Sequence, residues 1–196
     1  IVDLLKAASK PPEVVQPRQP PQPPANHGAE AEDRPPIQQV SITREEFIQQ
    51  IEGFKTSKPK FHKQLLQVFD NDPSLRELDL DSNQIGDECA KALANALQTN
   101  SSLTVLNLYR NQIRAEGAQA LATALHTNSS LRELNLTFNR IGAEGAQALA
   151  HALHTNSTLS TLYLGNNEIG PEGAKALAKA LEHNKTLSSL LLENNQ

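Results

Sequence analysis

The sequence is poor in the residues that build disulfides, membrane spans and large aromatic cores. It has one cysteine, no methionine, no tryptophan and only 4% aromatic residues. Because a single cysteine, Cys89, excludes an internal disulfide, a reducing compartment fits best and we expect a cytoplasmic protein. No stretch approaches the roughly 18 apolar residues that a membrane-spanning helix needs, and no signal-peptide h-region is visible. The formal net charge of −4 gives no basic footprint, so we expect neither a membrane nor a nucleic-acid partner.

Motifs that carry catalysis are also missing from the sequence. It contains no P-loop, no nucleophile elbow and no C-x-x-C pair. His151 and His154 stand three residues apart on a predicted helix, but no third metal ligand accompanies them. The sequence therefore predicts a protein that is not an enzyme and that has no metal site and no cofactor.

What the sequence does contain is a repeat. Four copies of a 28-residue unit cover residues 75–186, and ten residues of a fifth copy follow. The second copy reads LTVLNLYRNQIRAEGAQALATALHTNSS, and every complete copy begins L-x-x-L-x-L-x-x-N-x-I. A fixed period in the twenties with this opening is typical of a leucine-rich-repeat solenoid. Because the chain opens at Ile1, lacks methionine and stops within the fifth copy, we also expect a fragment.

Each copy changes from the periodicity of a strand to that of a helix. In the second copy Leu106 and Leu108 alternate as in a strand with one buried face. The later apolar residues follow the helical spacing i, i+3, i+4 and i+7: Ala118, Leu121, Ala122 and Leu125. Stacked copies would place parallel strands on a concave face and helices on a convex face. The predicted fold is therefore an α/β leucine-rich-repeat solenoid, or horseshoe.

Three recurrent positions are interpreted as structural. A column of asparagines can satisfy backbone groups of its own turn and of the next coil: Asn83, Asn111, Asn139, Asn167 and Asn195. Asn128 follows the last apolar residue of the second helix, where a residue that tolerates the left-handed conformation can end it. Cys89 stands at a helix start, where a thiol pKa can fall, but it occupies the position of Gly117 in the next copy. We interpret Cys89 as a small residue that fills a glycine position.

The composition divides the chain into three segments. Residues 1–40 contain nine of the twelve prolines and predict a disordered linker with polyproline II character. Within this linker the R-x-x-P-x-x-P spacing from Arg18 to Pro24 matches ligands of SH3-type domains, although proline-rich linkers produce this match by chance. Residues 41–73 predict a helical N-terminal cap. Residues 74–196 form the predicted leucine-rich-repeat domain.

The predicted cap contains two helical patterns. Thr43 has the spacing of a capping box, and three apolar residues follow on one face: Phe47, Ile51 and Phe54. After Lys58 and Pro59, a second helix carries four more: Phe61, Leu65, Leu66 and Phe69. Counted back from Leu75, Phe69 falls where Leu125 stands in the second copy. The second helix is thus predicted to be a repeat helix without a strand, which covers the exposed end of the core.

The candidate binding residues lie where strand side chains point away from the core. Counting each leading leucine as one, positions three, five and seven face the concave side, and position eight starts the exit loop. These positions hold aromatic and arginine residues typical of protein interfaces: Tyr109, Arg110, Phe138 and Tyr163. They also hold an acidic group that suits a basic partner segment: Glu77, Asp79, Asp81 and Glu133. Alternatively, Phe138 folds back over the neighbouring loop and the acids are merely solvated. Thr137, at position seven, is expected to face solvent.

The repeat resembles those of known families. Its period and its helix pattern, G-A-x-A-L-A-x-A-L-x-x-N, are similar to the ribonuclease-inhibitor type of leucine-rich repeat. The sequence pattern NxIGxEGAxALAxALxxNxSL is most similar to the repeats of NOD-like receptors and, more loosely, to those of Ran GTPase-activating proteins. NDPSL, at residues 71–75, is loosely similar to the start of tropomodulin-type repeats, and this short match carries no inference. The resemblance is specific for fold and weak for function, because one fold hosts unrelated activities.

Two functions of different classes remain open. The first is a scaffold that recognises a protein partner through the concave face of the sheet. The second, implied by the Ran GTPase-activating resemblance, is an activator of a Ran-like small GTPase that supplies Arg110 or Arg140 to the partner's nucleotide site. Both arginines stand in ordinary repeat positions, which favours the scaffold. A third interpretation makes the segment a spacer arm of a larger receptor.

Overall fold

The computed structural model describes residues 42–196 except the side chains of Phe54 and Lys55. The predicted linker at residues 1–40, with its SH3-type pattern between Arg18 and Pro24, lies outside the described residues. Three helices come first: α1 (Arg44–Ile51), α2 (Gly53–Ser57) and α3 (Pro59–Phe69). Strands and helices then alternate: β1 (Glu77–Asp79), α4 (Gly86–Thr99), β2 (Val105–Asn107), α5 (Ala115–Thr127), β3 (Glu133–Asn135), α6 (Gly142–Thr155), β4 (Thr161–Tyr163), α7 (Gly170–His183) and β5 (Ser189–Leu191).

The described strands form a parallel sheet in the order of the chain, β1 to β5. The central leucine of each strand pairs in register with that of the next strand: Leu78, Leu106, Leu134, Leu162 and Leu190. The first four of these leucines are buried in one hydrophobic core with residues of helices α4–α7. These helices pack one against the next. The predicted α/β leucine-rich-repeat solenoid is therefore confirmed. Among the described residues, every helix falls short of the length and apolar character that a membrane span requires.

Small residues let neighbouring helices approach closely. A Cβ atom on Gly145 would lie 2.9 Å from the Cβ of Ala118 in α5 and 2.5 Å from Cγ2 of Ile141. Cys89 takes the equivalent position in α4, where the neighbours are the helices of the cap instead of another repeat helix. The Cys89 side chain is buried, and burial raises the pKa of its thiol to about 12. Cys89 is therefore a packing residue, because a protonated buried thiol is unreactive.

The predicted asparagine column forms a ladder of hydrogen bonds between repeats. The Asn111 Oδ1 accepts from the backbone N–H of Asn83 at 2.9 Å and of Ile85 at 3.3 Å. Its Nδ2 donates to the carbonyls of Leu80 at 2.8 Å and of Tyr109 at 3.0 Å. Asn139 and Asn167 make the equivalent bonds. The ladder prediction is confirmed, but each side chain reaches back to the preceding coil, not forward to the next one.

A second asparagine ladder, which was not predicted from the sequence, runs along the ends of the helices. The Asn128 Nδ2 donates to the carbonyls of Leu97 at 2.8 Å and of Asn100 at 2.9 Å, both in the preceding repeat. Its Oδ1 accepts from the backbone N–H of Leu131 at 2.8 Å. The prediction that Asn128 ends the helix in a left-handed conformation is wrong, because its backbone is extended, with φ −69° and ψ 127°. Extended backbone aims the amide into the preceding repeat.

The N-terminal cap closes both ladders at their first rung. The Nζ of Lys58 donates to Oδ1 of Asn83 at 2.6 Å, where a preceding coil would otherwise supply an N–H. The carbonyl of Val68 accepts from Nδ2 of Asn100 at 2.9 Å and so takes the place of the Leu97 carbonyl in the next rung. The prediction that Phe69 occupies this position is wrong by one residue. The turn after α3 is one residue longer, with Asn71 in the left-handed conformation at φ 52°.

The two predicted helical patterns of the cap are present, with one addition. Thr43 forms the predicted capping box with Glu46 at the start of α1. Phe47 and Ile51 are buried, and the rings of Phe47 and Phe69 stack with their centroids 4.7 Å apart. The short helix α2 between α1 and α3 was not predicted. These contacts join the cap to the core that α4 and the repeats share.

Candidate functional site

The acidic candidates lie at the first strands of the sheet. Glu77 and Asp79 are exposed at the two ends of β1, and Asp81 is exposed in the turn that follows. Glu133 begins β3 and is half-buried. None of the ion pairs among residues 42–196 involves these four carboxylates. Their charges are therefore not neutralised within the part of the chain that the structure describes.

Side chains at position five of the strands have a structural role that was not predicted from the sequence. The Asp79 Oδ1 accepts from Nδ2 of Asn107 at 2.8 Å and from the backbone N–H of Asp81 at 3.2 Å. Asn107 and Asn135 hold the turns after β2 and β3 in the same way. Asp79 therefore fixes the end of its strand and links it to the next one. Of the four acids, Asp79 has the least freedom to turn toward a partner.

The structure brings two of the three candidate aromatic residues together. The ring centroids of Tyr109 and Phe138 are 5.3 Å apart with an interplanar angle of 65°, an edge-to-face contact between neighbouring repeats. Tyr109 is half-buried, whereas Phe138 remains 48% exposed. Tyr163 is half-buried on β4, where it pairs with Asn135, and it makes no ring contact with another described residue. The aromatic candidates are thus a pair and a separate tyrosine.

Phe138 has a backbone conformation that bulky residues rarely adopt. Its φ is 55°, in the left-handed region. Position eight is left-handed in every repeat, and the other occupants are Ser82, Arg110, Asn166 and Asn194. Asparagine tolerates this region, whereas a large side chain there is an outlier that costs stability. The conformation therefore belongs to the repeat, and Phe138 is the one aromatic residue that occupies it among the described repeats.

Burial of Thr137 differs from the prediction. Thr137 was expected to face solvent, but it is only 9% exposed. Tyr109 occupies the same position of the preceding repeat, and the ring of Phe138, the next residue, packs against Tyr109. The backbone N–H of Arg110 also donates to the Thr137 carbonyl at 3.0 Å. A side chain at position seven can therefore point away from the core and still be buried when it lies beside an aromatic pair.

A groove of about 640 Å³ lies where the strands end and the loops toward the helices begin. We call it the exit-loop groove. It is lined by residues of four repeats: Ser82, Gln84, Arg110, Gln112, Phe138, Asn139, Arg140, Asn166 and Glu168. It therefore joins two predicted interface residues, Arg110 and Phe138, to Arg140, which was predicted only as a possible catalytic arginine.

The position-ten residues of the groove were not predicted from the sequence. Gln84, Gln112, Arg140 and Glu168 each follow a ladder asparagine directly. Three of them, Gln84, Gln112 and Glu168, are in the left-handed conformation. The residue at position ten varies among the copies, whereas the asparagine before it and the isoleucine after it recur in every complete copy. This variation is the signal that could have revealed these residues.

Four described histidines lie away from this groove, on helices α5–α7. The rings of His126 and His151 have centroids 5.1 Å apart, and those of His154 and His183 are 4.9 Å apart. Each pair joins neighbouring helices. Within residues 42–196, no three residues among His, Cys, Asp and Glu are grouped so that they could hold a metal ion. The side chains that line the groove itself are an aromatic ring, arginines, amides, a hydroxyl and a carboxylate.

Comparisons with known proteins agree with this architecture. Residues 71–94, 99–122, 127–150 and 155–178 each match the family model described as Leucine Rich repeat. A solved structure titled Leiomodin-1 Actin-Binding Site 2 is 29% identical, with a TM-score of 0.65, over 69% of this chain and 80% of that chain. The tropomodulin C-terminal domain of Caenorhabditis elegans covers 69% of this chain and 84% of its own at a TM-score of 0.63; its 18% identity supports the fold alone. The comparison with curated protein sequences gives no match.

Proposed function

We propose that this chain, whose repeats are leucine-rich repeats, is a non-enzymatic module that binds a protein partner through the concave face of its sheet and the adjoining loops. The residues that we assign to the interface are the aromatic pair with its arginine, the separate tyrosine and the acidic group: Tyr109, Phe138, Arg110, Tyr163, Glu77, Asp79, Asp81 and Glu133. Solenoids offer extended concave surfaces of this kind for partners.

The observation that carries the proposal is the exposed Phe138 ring on Tyr109. Phe138 is 48% exposed and packs edge-to-face on Tyr109 of the preceding repeat. Arg110, the residue after Tyr109, lines the same groove as Phe138. Aromatic residues and arginine dominate the energetic centres of protein interfaces. Rings in contact are preorganised, so less conformational freedom is lost when a partner binds.

Actin is the partner that we propose to test first. The similarity to a structure titled an actin-binding site extends over 69% of this chain at 29% identity. The acidic group at the first strands would bind a basic segment of such a partner by charge complementarity, which mainly raises the association rate and the specificity.

Cosedimentation of the full chain with filamentous actin, together with a monomer-binding assay, tests this proposal. The parent should bind one of the two forms, and the triple variant Tyr109→Ala, Phe138→Ala, Tyr163→Ala should bind at least about tenfold more weakly. Leu181→Ala is the matched control, since Leu181 is a large exposed apolar residue on helix α7. If neither form of actin binds, actin is not the partner. A partner captured from cytosolic extract equally by the parent and the triple variant would contradict the concave-face interface itself.

Activation of a Ran-like small GTPase remains the alternative function. The observation that supports it is the placement of Arg110 and Arg140 on one groove, from which an arginine could reach a bound nucleotide. The test is GTP hydrolysis by a Ran-like GTPase with the full chain at substoichiometric amounts. Acceleration that Arg110→Lys or Arg140→Lys abolishes would establish this function. An unchanged hydrolysis rate would exclude it.

A further inference from the structure

The exit-loop groove differs in charge from the strand surface beside it. Arg110 and Arg140 line the groove, and no carboxylate of the described residues forms an ion pair with either guanidinium. Glu168 supplies the one carboxylate of the lining, so the lining carries a formal net charge of +1. The strand surface before the groove carries Glu77, Asp79, Asp81 and Glu133 instead. The two surfaces therefore suit segments of opposite charge.

The groove also presents an apolar surface at its centre. Phe138 is 48% exposed, and its repeat lies between those of Arg110 and Glu168. Its left-handed backbone would suit an asparagine better, as in the next two repeats at Asn166 and Asn194. An exposed phenylalanine at a costly backbone position gives no benefit to the isolated chain beyond its contact with Tyr109. A bound apolar side chain would cover the exposed part of the ring.

We propose that the exit-loop groove binds an extended peptide segment of a partner in which a carboxylate side chain lies next to a large apolar one. The proposal rests on the proposed function, and it adds the chemistry of the bound segment and the surface that recognises it. Arg110 and Arg140 bind the carboxylate, since a guanidinium offers paired N–H donors that match its two oxygens. Phe138 packs against the apolar side chain.

The amide residues of the groove complete the recognition. Gln84 and Gln112 are exposed and lie on the two repeats that precede Phe138. Each amide offers donors and an acceptor, which suits the unpaired backbone groups of an extended peptide. Glu168 lies on the repeat after Phe138 and repels a second carboxylate there. The segment should therefore bind in one direction, with its acid toward the second repeat.

Fluorescence polarisation of the full chain with short labelled peptides tests the proposal. The probe is SGDELFGS, and two controls remove one element each: SGNQLFGS lacks the acids and SGDEAAGS lacks the apolar side chains. The probe should bind at least about tenfold more tightly than either control, a difference expected when a charge pair or an apolar anchor is lost. Its affinity should fall as salt is raised, because the arginine contacts are exposed to solvent.

The variants place residues that already occupy the same positions in other repeats, so the fold should be kept. Arg110→Asn and Phe138→Asn copy Asn166, and Arg140→Gln copies Gln112. Each should weaken binding of the probe about tenfold, whereas Leu181→Ala and Glu182→Gln on the exposed side of helix α7 should leave it unchanged. Circular dichroism and the melting temperature confirm that every variant is folded.

Each outcome of these measurements either supports the peptide site in the groove or overturns it. Loss of binding in the groove variants alone establishes the groove as the peptide site. If the probe does not bind, or binds no more tightly than SGNQLFGS, the proposal that the groove binds an acidic segment is wrong. This outcome leaves the actin experiment unaffected, because that experiment tests the proposed function separately. Undiminished binding by the groove variants overturns the groove. A loss in the helix α7 variants as large as the loss in the groove variants also overturns the groove.

Discussion

The Asn111 side chain is fully buried and bridges two repeats through hydrogen bonds to two N–H groups and two carbonyls. Asn111→Ala removes the amide side chain, so these four backbone groups lose their hydrogen bonds to it at once. Each buried backbone group that is left without a hydrogen bond costs about 1–3 kcal/mol. We expect Asn111→Ala to lower the free energy of unfolding by at least about 3 kcal/mol. Urea unfolding followed by circular dichroism measures this loss.

Asn95→Ala is the matched control for the ladder. Asn95 is half-buried within helix α4, where alanine is the better helix former. Its replacement should change the free energy of unfolding by less than about 0.5 kcal/mol. Similar losses for the two variants would show that the buried ladder contributes nothing specific.

Leu134 and Thr137 separate the inward and outward directions of one repeat. Leu134 is buried at the centre of β3, so Leu134→Ala should cost about 2–5 kcal/mol. Thr137, although outward in the pattern, is covered beside the aromatic pair, and Thr137→Ala should cost about 1 kcal/mol. Thermal unfolding of both variants gives the comparison. Equal melting temperatures would mean that the burial of one of them is misassigned.

Burial of Cys89 predicts a pH dependence of stability. Burial raises the thiol pKa to about 12 in the folded chain, from 9.0 for the exposed group. The unfolded chain therefore loses this proton first, and the contribution of the neutral thiol declines as pH rises from about 9 toward 12. Between these values the slope approaches about −1.4 kcal/mol per pH unit. Below pH 8 the thiol should have no pH effect.

Comparison with Cys89→Ala isolates this effect from other alkaline titrations. Urea unfolding at pH 8 and at pH 10 gives the free energy of unfolding of both proteins. The parent should lose more stability than Cys89→Ala between the two pH values. Equal losses would show that the thiol ionises as readily in the folded chain as in the unfolded one.

At the scale of elements, the start of α5 depends on a side chain from the helix before it. Arg114, the residue before α5, makes no side-chain cap. Instead Asp87 of α4 accepts at Oδ1 from the backbone N–H of Arg114 at 2.7 Å and of Gly117 at 3.0 Å. Asp87 thus does the work of a cap residue across a repeat boundary.

Asp87→Ala should therefore destabilise the chain by about 1 kcal/mol, the usual loss for a cap residue. Glu88→Ala is the control, because Glu88 is exposed on the same turn and its ion pair with Lys91 is a surface pair of little value. Chemical unfolding measures both changes. A loss for Glu88→Ala as large as that for Asp87→Ala would show that Asp87 does not cap helix α5.

The elements that the sequence predicted are those with a repeated period. Leu106 and the helix spacing through Leu125 follow from sterics that recur in every copy, and they lie in β2 and α5 as predicted. Leu108 is buried as predicted, but it lies one residue beyond the end of β2. The cap has only one copy, and there the register of Phe69 was wrong by one residue. A turn of one extra residue at Asn71 has no counterpart in the repeats that could have revealed it.

The second asparagine ladder shows the limit of a pattern read within one repeat. Asn128 was correctly placed at a helix end, but its hydrogen-bond partners, Leu97 and Asn100, belong to another repeat. Local propensity gives the position of a polar residue and leaves its distant partner unspecified. The same limit hid the groove, because Arg110, Phe138 and Glu168 come from three different copies.

At the scale of the whole molecule, the contacts of the solenoid run mainly between neighbours. Helices α4–α7 pack in sequence, and each strand pairs with the next. The cap covers the first repeat, whereas Leu190 and Leu192 of the last described turn are only partly buried. In such chains stability is close to a sum of repeat and neighbour terms. Local opening should therefore be easiest where the leucines of the core are least buried.

Hydrogen–deuterium exchange of the full chain followed by mass spectrometry measures this gradient. Peptides that contain β2, β3 and α5 should exchange slowest, because their amides lie between two packed repeats. Peptides that contain β5 should exchange faster, because the leucines of that strand and of the residues after it are only partly buried. Asn111→Ala should speed exchange in the first two repeats more than in α7, if coupling decays along the stack. Equal exchange in all repeats would show that the repeats open only together. In that case the groove, which spans four repeats, would be rigid before any partner binds.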